Sequence, residues 1–295
     1  MNKLNKILVL FVVLSIASID NTYAQAEVSN GYNPLSLRQV HESYLMWKKT
    51  LWRRIDLNEK QNKPFFARNR ELSKIIIDAV QEGVLIPYLN DSVNDENVMS
   101  REEFIQRMKQ DVIEEDDEFD EGFGDDPFGD DPFGDDPFGD DPFATTEIEG
   151  TPEVELIPKR EFSIFEIKED LYFDRIHSRI YFDIQAVSFY LPGDSFYNLG
   201  GFEKQVASFR FIDLYNLFKS MPKDAIWYNE NNVAQHKNLG DAFLLRLFKG
   251  VIVKLANADD VRITELFDDS RKSGIMASIK IEQDLMDWES NLWEY

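Results

Sequence analysis

Ile180-Tyr181-Phe182-Asp183-Ile184-Gln185-Ala186-Val187-Ser188-Phe189 is the stretch whose reading decides the fold. Ile180, Phe182, Ile184, Ala186 and Ser188 alternate with Tyr181, Asp183, Gln185, Val187 and Phe189, and apolar residues stand in both sets. Successive side chains of a strand point to opposite faces, so this run suits a central strand covered on both sides. Leu191-Pro192-Gly193-Asp194 closes it with turn residues.

Working outward toward the C-terminus, Ser208 to Ile212 reads as a second strand leading into a helix from Leu214 to Met221. Ala242 to Phe248 reads as a helix capped by Gly250, and Val251 to Leu255 as a strand. Val261 to Phe267 fits a strand or a helix equally. From about Ser278 to Tyr295, Ile281, Leu285, Trp288 and Leu292 share one helical stripe, with Trp293 and Tyr295 beside it. Large aromatics this near a terminus predict a docked end.

Toward the N-terminus, Phe162 to Ile167 is expected to be extended and Asp170 to Ile176 a turn or short helix. Farther back, Val40, Tyr44, Trp47, Leu51, Trp52 and Ile55 recur at three- and four-residue spacing. That predicts an amphipathic helix to about Trp52, running into a short extended piece at Ile55-Asp56-Leu57. Leu72, Ile75, Ile76, Ala79 and Val80 form a helical face ending at Gly83. Val84 to Tyr88 reads as a strand, and Ser100 with Glu103 as a capping box for a helix through Lys109. The fold class is α+β: mixed helices and a short sheet, in two parts.

What divides the parts is an acidic stretch. GDDPF repeats four times from Gly124 to Phe143, residues 111–142 hold sixteen carboxylates, and no Lys or Arg falls between Lys109 and Lys159. Like charges repel, Gly and Pro oppose regular structure, and the apolar content is too low to offset chain-ordering entropy. The stretch is expected to be a disordered tether. The resulting division is a signal peptide at 1–24, an arm at 25–37, an N-terminal α/β part at 38–110, the acidic linker at 111–155 and a C-terminal α+β part at 156–295.

The signal peptide is read from Lys3 and Lys6, an apolar run from Ile7 to Ile16, and a cleavage-type sequence ending at Ala24. The chain has 295 residues, a net charge of -23 and no cysteine. An exported chain without cysteine has no disulfide and no thiol to carry a lipid, so packing alone stabilises it. No direct membrane anchor is expected. Most of the acidity sits in the linker, and no basic patch exists to bind phosphates, which argues against nucleic acid.

Catalytic signatures are missing. His41, His177 and His236 lie in separate segments with no second ligand at metal spacing. Nucleophile elbows, phosphate loops, dinucleotide fingerprints and zinc motifs are absent. Glu166, Glu169, Asp170 and Asp174 cluster, yet Arg160, Lys168, Arg175 and Arg179 are interleaved with them, which reads as salt-bridged surface. No catalytic residue, cofactor or specific metal site is expected. An alternative function, a free-standing periplasmic calcium- or cation-binding protein, would rest on the GDDPF carboxylates.

Three blocks taken together point to a family. They are Trp52 to Phe66 (WRRIDLNEKQNKPFF), Ile167 to Arg175 (IKEDLYFDR) leading to Ser178-Arg179 and a strand ending near Pro192, and Trp288 to Tyr295 (WESNLWEY). The arrangement resembles the GldN/PorN family of gliding-motility proteins, components of the type IX secretion system, with the acidic repeat as an insertion. An aliphatic residue usually stands in the family where this chain has Arg54. The resemblance implies a non-enzymatic structural subunit of a periplasmic ring, held at the inner face of the outer membrane. It implies as partners an outer-membrane lipoprotein (GldK/PorK-like), the periplasmic region of an inner-membrane motor protein (GldM/PorM-like), and further copies of itself. A permanent ring needs large apolar contacts, for which Trp47, Trp52, Phe65, Phe66, Trp288, Trp293 and Tyr295 are the interface candidates. Each is otherwise an ordinary core aromatic. Asp91-Ser92-Val93 resembles the short periplasmic O-glycosylation acceptor of such bacteria, with Ser92 the acceptor.

Overall fold

The computed structural model describes residues 31–109, 156–266 and 271–292. The stretches expected to be a signal peptide, the start of the arm and an acidic linker, together with Trp293 and Tyr295, lie outside them. The described residues combine helices with antiparallel sheet, the α+β class expected.

The strands are β1 (Leu45–Asp56), β2 (Phe66–Ala67), β3 (Arg70–Glu71), β4 (Ile164–Asp174), β5 (Arg179–Leu191), β6 (Lys204–Arg210), β7 (Ile226–Trp227), β8 (Lys237–Asn238) and β9 (Val251–Leu255). Five of them form one antiparallel sheet in the order β6-β5-β4-β1-β9, while β2 pairs β3 and β7 pairs β8 in small ladders. The helices are α1 (Leu72–Gln81), α2 (Arg101–Arg107), α3 (Phe211–Ser220), α4 (Leu239–Leu244), α5 (Ile263–Leu266) and α6 (Arg271–Leu292).

The stretch 180–189 lies within β5, between β4 and β6, as its alternation required. The helix expected through Trp52 is instead β1, an interior strand of the sheet between β4 and β9. The helix layer covers one face and an irregular segment the other, so Leu51, Trp52, Arg53 and Ile55 are all buried. A strand apolar on both faces gives accidental three- and four-residue spacings, and tertiary pairing overrides them. Likewise, Asp170 to Asp174 continue β4 rather than turning, because each is paired with β1 on one side and β5 on the other. Strands from both sides of the acidic linker therefore share one sheet. Lys109 and Leu156, which flank the stretch outside the described residues, pair as neighbours.

Capping signals held where they were local. Gly83 has φ 77°, and its N–H and that of Val84 reach back to Val80 and Ala79, closing α1. Ser100 accepts the Glu103 N–H at 3.1 Å to start α2, while the Glu103 carboxylate turns to Arg107 at 3.0 Å. Val84 to Tyr88 is not a strand: Pro87 has no N–H to give, and only Tyr88 pairs, with Val98 and Ser208. Nor does Gly250 cap a helix, since α4 ends at Leu244. A Cβ at Gly250 would meet Arg53 Cγ and the Arg54 carbonyl at 2.8 Å, so its role is close approach to β1. The ambiguous segment after Val261 contains the short helix α5.

Helices cover one face. Phe189 is the hub of the larger core, its ring 5.5–6.1 Å from those of Phe104, Phe162, Phe165 and Phe209. A smaller cluster of Leu51, Leu171, Ile252, Ile263 and Ala277 lies under α6. The sheet edges are protected differently. Tyr88 exchanges hydrogen bonds with Ser208 on β6, whereas β9 carries an irregularity between its Ile252 and Lys254 pairs and a lysine at that point.

Candidate functional site

The opposite face of the sheet is polar, and two irregular segments cover it: residues 85–99 and the arm from residue 31 to His41. Trp52 donates its indole N–H to Asp91 at 2.7 Å, Arg210 reaches the Val93 carbonyl at 2.9 Å, and Asn33 donates to Gln185 at 2.8 Å. The Arg38 guanidinium lies 4.1 Å over the Tyr181 ring. Between these covers and the sheet is a cavity of about 330 Å³ lined by Lys48, Thr50, Asp91, Lys168, Asp170 and Gln185, among others.

β4 supplies most of the charge. Alternation sends Glu166, Lys168, Asp170 and Asp174 to the polar face and Glu169 to the helix side. None of the four acids is at the surface; all are buried. This corrects the surface reading, and the cations differ as well. Asp170 accepts from Thr50 Oγ1 at 2.6 Å and pairs with Lys48 at 2.8 Å. Glu166 pairs with Arg262 at 2.9 Å. Of the interleaved bases, Lys168 turns to Asp91 at 3.4 Å, Arg160 lies over Phe66, and Arg175 and Arg179 are exposed.

Glu169 is fully buried. It accepts from Arg53 Nε at 3.1 Å and Arg246 Nη2 at 3.1 Å, with a second short contact from Arg246. Arg53 continues to the Gly250 carbonyl at 3.0 Å and to Glu282 of α6 at 3.2 Å. Arg246 stands at φ 53°, a left-handed conformation uncommon for a non-glycine residue, and its guanidinium covers Phe182 at 4.0 Å. The cluster ties β1, β4, the turn before β9 and α6 at one point.

Burial sets the titration of the polar face. It pushes the Asp183 carboxyl up to about 6, against hydrogen bonds from Ser36 and Gln185 that favour the charged form. Burial likewise raises Glu166 despite Arg262. At Asp174 burial acts upward, but hydrogen bonds from the His177 ring and the Ile176 and His177 N–H groups hold it below its usual value. These acids face paired cations and amides, not a nucleophile with its base, so the chemistry of the face is charge pairing that fixes loops. Among the described residues no group of His, Cys, Asp and Glu is arranged to hold a metal ion.

The structure places the aromatic candidates unequally. Trp47 stacks on Trp288 with centroids 4.8 Å apart and an 18° tilt, and Trp288 is 42% exposed. Trp52 is buried on the polar face beneath the ammonium groups of Lys168 and Lys254. Phe65 sits in the main core against Phe243, and Phe66 is half-buried. Ser92 is exposed beside buried Val93. His41 starts a short turn by accepting the Ser43 N–H, His177 pairs with Asp174, and His236 stacks on Tyr228. Sequence reasoning passed over the turn between β5 and β6, where Phe196 and Phe202 are 82% and 84% exposed. Asn198 holds that turn by donating to the Pro192 and Phe202 carbonyls. Aromatics set among Pro192, Gly193, Gly200 and Gly201 were the available signal.

The family model for gliding motility associated protein GldN matches residues 40–294. The chain belongs to the GldN family. That match spans all five strands of the main sheet, the Glu169 cluster and the Trp47–Trp288 stack, so GldN-family membership concerns the whole folded body. With it the chain is placed among components of the gliding-motility and type IX secretion machinery. A comparison with curated proteins finds no match.

Proposed function

We infer that the chain is a non-enzymatic structural subunit of a periplasmic ring in this machinery. It assembles with an outer-membrane lipoprotein, meets the periplasmic region of an inner-membrane motor protein, and acts by binding rather than turnover. The observation that carries the reading is GldN-family membership over 40–294. Consistent with it, no helix among the described residues is long and apolar enough to cross a membrane, and a partner would hold the chain at the outer membrane. Exposed Trp288, Phe196 and Phe202 supply apolar contact area of the kind such partners bury. Trp52 and Phe65 act from within, by fixing the loops and the core, and Trp47 by backing Trp288.

Gentle detergent extraction of the tagged protein from its own cells, followed by electron microscopy, tests the reading. Rings containing a lipoprotein are expected; a clean monomer without partners would overturn it and return attention to cation binding by the acidic repeat. Ser92, exposed in its loop, is the acceptor we assign for a periplasmic glycan, and a Ser92→Ala chain should then lose the added mass.

A further inference from the structure

Residues 31–41 form a loop closed on itself. The Glu42 N–H donates to the Gly31 carbonyl at 2.6 Å, and Tyr32 bridges to His41. Among the described residues, the backbone hydrogen bonds of this loop stay within residues 31–44. Side chains tie it to the rest of the fold. Asn33 donates to Gln185 at 2.8 Å, Ser36 meets Asp183, and Leu35 and Leu37 add apolar contacts. Compact loops with close ends open as units.

Beneath the loop is a cavity of about 30 Å³, the share of one water molecule in the liquid. Its titratable lining is Arg38 of the loop, Lys48 of β1, Asp170 and Tyr172 of β4, and Asp183 of β5. Lys48 is taken by Asp170 at 2.8 Å, and Arg38 lies over the Tyr181 ring. The buried Tyr172 hydroxyl has no hydrogen-bond partner among the described residues. Asp183 Oδ2 accepts from Gln185 at 2.8 Å. An ionised Asp183 thus has neither a cation of its own nor room for a hydration shell, which disfavours the charged form.

The Ser36 hydroxyl limits where protons can go. It accepts the Arg38 N–H at 3.1 Å and donates to the Arg38 carbonyl at 2.6 Å. A hydroxyl has one proton, so in this arrangement it can meet Asp183 only as an acceptor. A protonated Asp183 donates to it, and every bond stands. An ionised Asp183 must draw the Ser36 proton away from the Arg38 carbonyl, which breaks the turn that shapes the loop.

We propose that residues 31–41 are a proton-held strap: a proton on Asp183 keeps the loop closed over the polar face, and its loss releases the loop. Opening bares Tyr181 and Gln185 and unroofs the larger cavity beside Lys48 and Asp170, which Asn33 and Leu35 help to line. The strap goes beyond the ring reading and does not depend on it. Burial raises the Asp183 carboxyl to about 6 in the closed loop, so closure is fullest below about pH 4 and weakens as pH rises through 6. Against an ordinary aspartate near 4, this makes opening about fiftyfold more frequent at pH 7 than at pH 4.

Hydrogen–deuterium exchange of the full chain tests the strap, read as protection relative to the free-peptide rate at each pH. The Leu35, Ser36 and Arg38 amides, all hydrogen-bonded within the loop, should lose about fiftyfold in protection from pH 4 to pH 7. At each pH they should exchange faster than Ile75, Ile76 and Ile77 of α1. In Asp183→Asn, which keeps the shape and cannot ionise, loop protection should stay level across the range. The same fall in Asp183→Asn would overturn the proposal. So would loop amides that match the α1 amides at every pH, since the loop would then open only with the whole fold. Carbon-13 NMR of the unaltered chain needs no variant: an Asp183 carboxyl titrating near 4 instead of near 6 would also overturn it.

Discussion

The two faces of the central sheet are closed by different physics. On the helix side, rings and aliphatic chains exclude water, and one ion cluster at Glu169 is embedded among them. On the other side, irregular segments bury only a small apolar cluster of Tyr88, Val93 and Ala186, with Leu85 and Met99 reaching the main core from the ends of one segment, and are otherwise held by indole, amide, guanidinium and carboxylate contacts. Apolar burial is non-directional and carries no titrating group. Paired charges are directional, titrate, and are costly when one partner is lost. The helix side should therefore set global stability, and the loop side should set how stability responds to conditions.

The strongest test sets two buried hubs of the helix side against each other. Phe189→Ala leaves a cavity among four rings and should cost about 3–5 kcal/mol in urea unfolding. Glu169→Ala strands the Arg53 and Arg246 guanidiniums and should cost a similar amount, about 3–5 kcal/mol. A loss below about 1 kcal/mol at Glu169 would mean that water reaches the two arginines and that the cluster is not sealed by the helix layer.

On the loop side, Asp183 should give the next largest effect. Its carboxyl is raised to about 6 in the folded chain, so between about pH 4 and pH 6 the native state binds more protons than the unfolded one. Stability from this group is present at the acid end and is lost as pH rises through its folded value. Relative to Asp183→Asn, the unaltered chain should lose about 2–3 kcal/mol on going from pH 4 to pH 7. The groups facing it are Ser36 of the arm, Gln185 of its own strand, Asp170 of β4 and Lys48 of β1. Parallel pH profiles for the two chains would place Asp183 in water and the arm away from the sheet.

These faces were legible to different degrees beforehand. Elements whose signals are local came through: the β5 alternation, Val251 to Leu255, the α1 stripe with Gly83, the Ser100 cap, and the inward Ile281 and Leu285. β1 did not, because a strand buried on both sides loses the polar half of its alternation and Leu51-Trp52 then imitates a helical face. The β4 carboxylates were misjudged for a related reason. Asp174 does pair locally, with His177, but the partners of Glu166, Glu169 and Asp170, namely Lys48, Arg53, Arg246 and Arg262, arrive from distant segments. Spacing along one strand says nothing about what the neighbouring strand or an incoming loop brings. The exposed Phe196 and Phe202 were marked only by the Pro192, Gly193, Gly200 and Gly201 around them, a turn signal that does not by itself say which aromatics face water.

The smallest expected effect is the most discriminating. Asp91 accepts the Trp52 indole N–H and lies 3.4 Å from Lys168 Nζ. Asp91→Ala leaves a buried indole donor without its acceptor, at a cost of about 1–2 kcal/mol. If residues 85–99 open as their own unit, that cost is local. The Tyr88 and Ser208 amides, which bond each other's carbonyls, should then exchange roughly tenfold faster by hydrogen–deuterium exchange. Amides of Ile75, Ile76 and Ile77 in α1 should keep their rates, because their helix packs on the opposite face. Equal acceleration in both places would show that the loops and the helices open together, and the contrast between the two faces would then describe composition without describing dynamics.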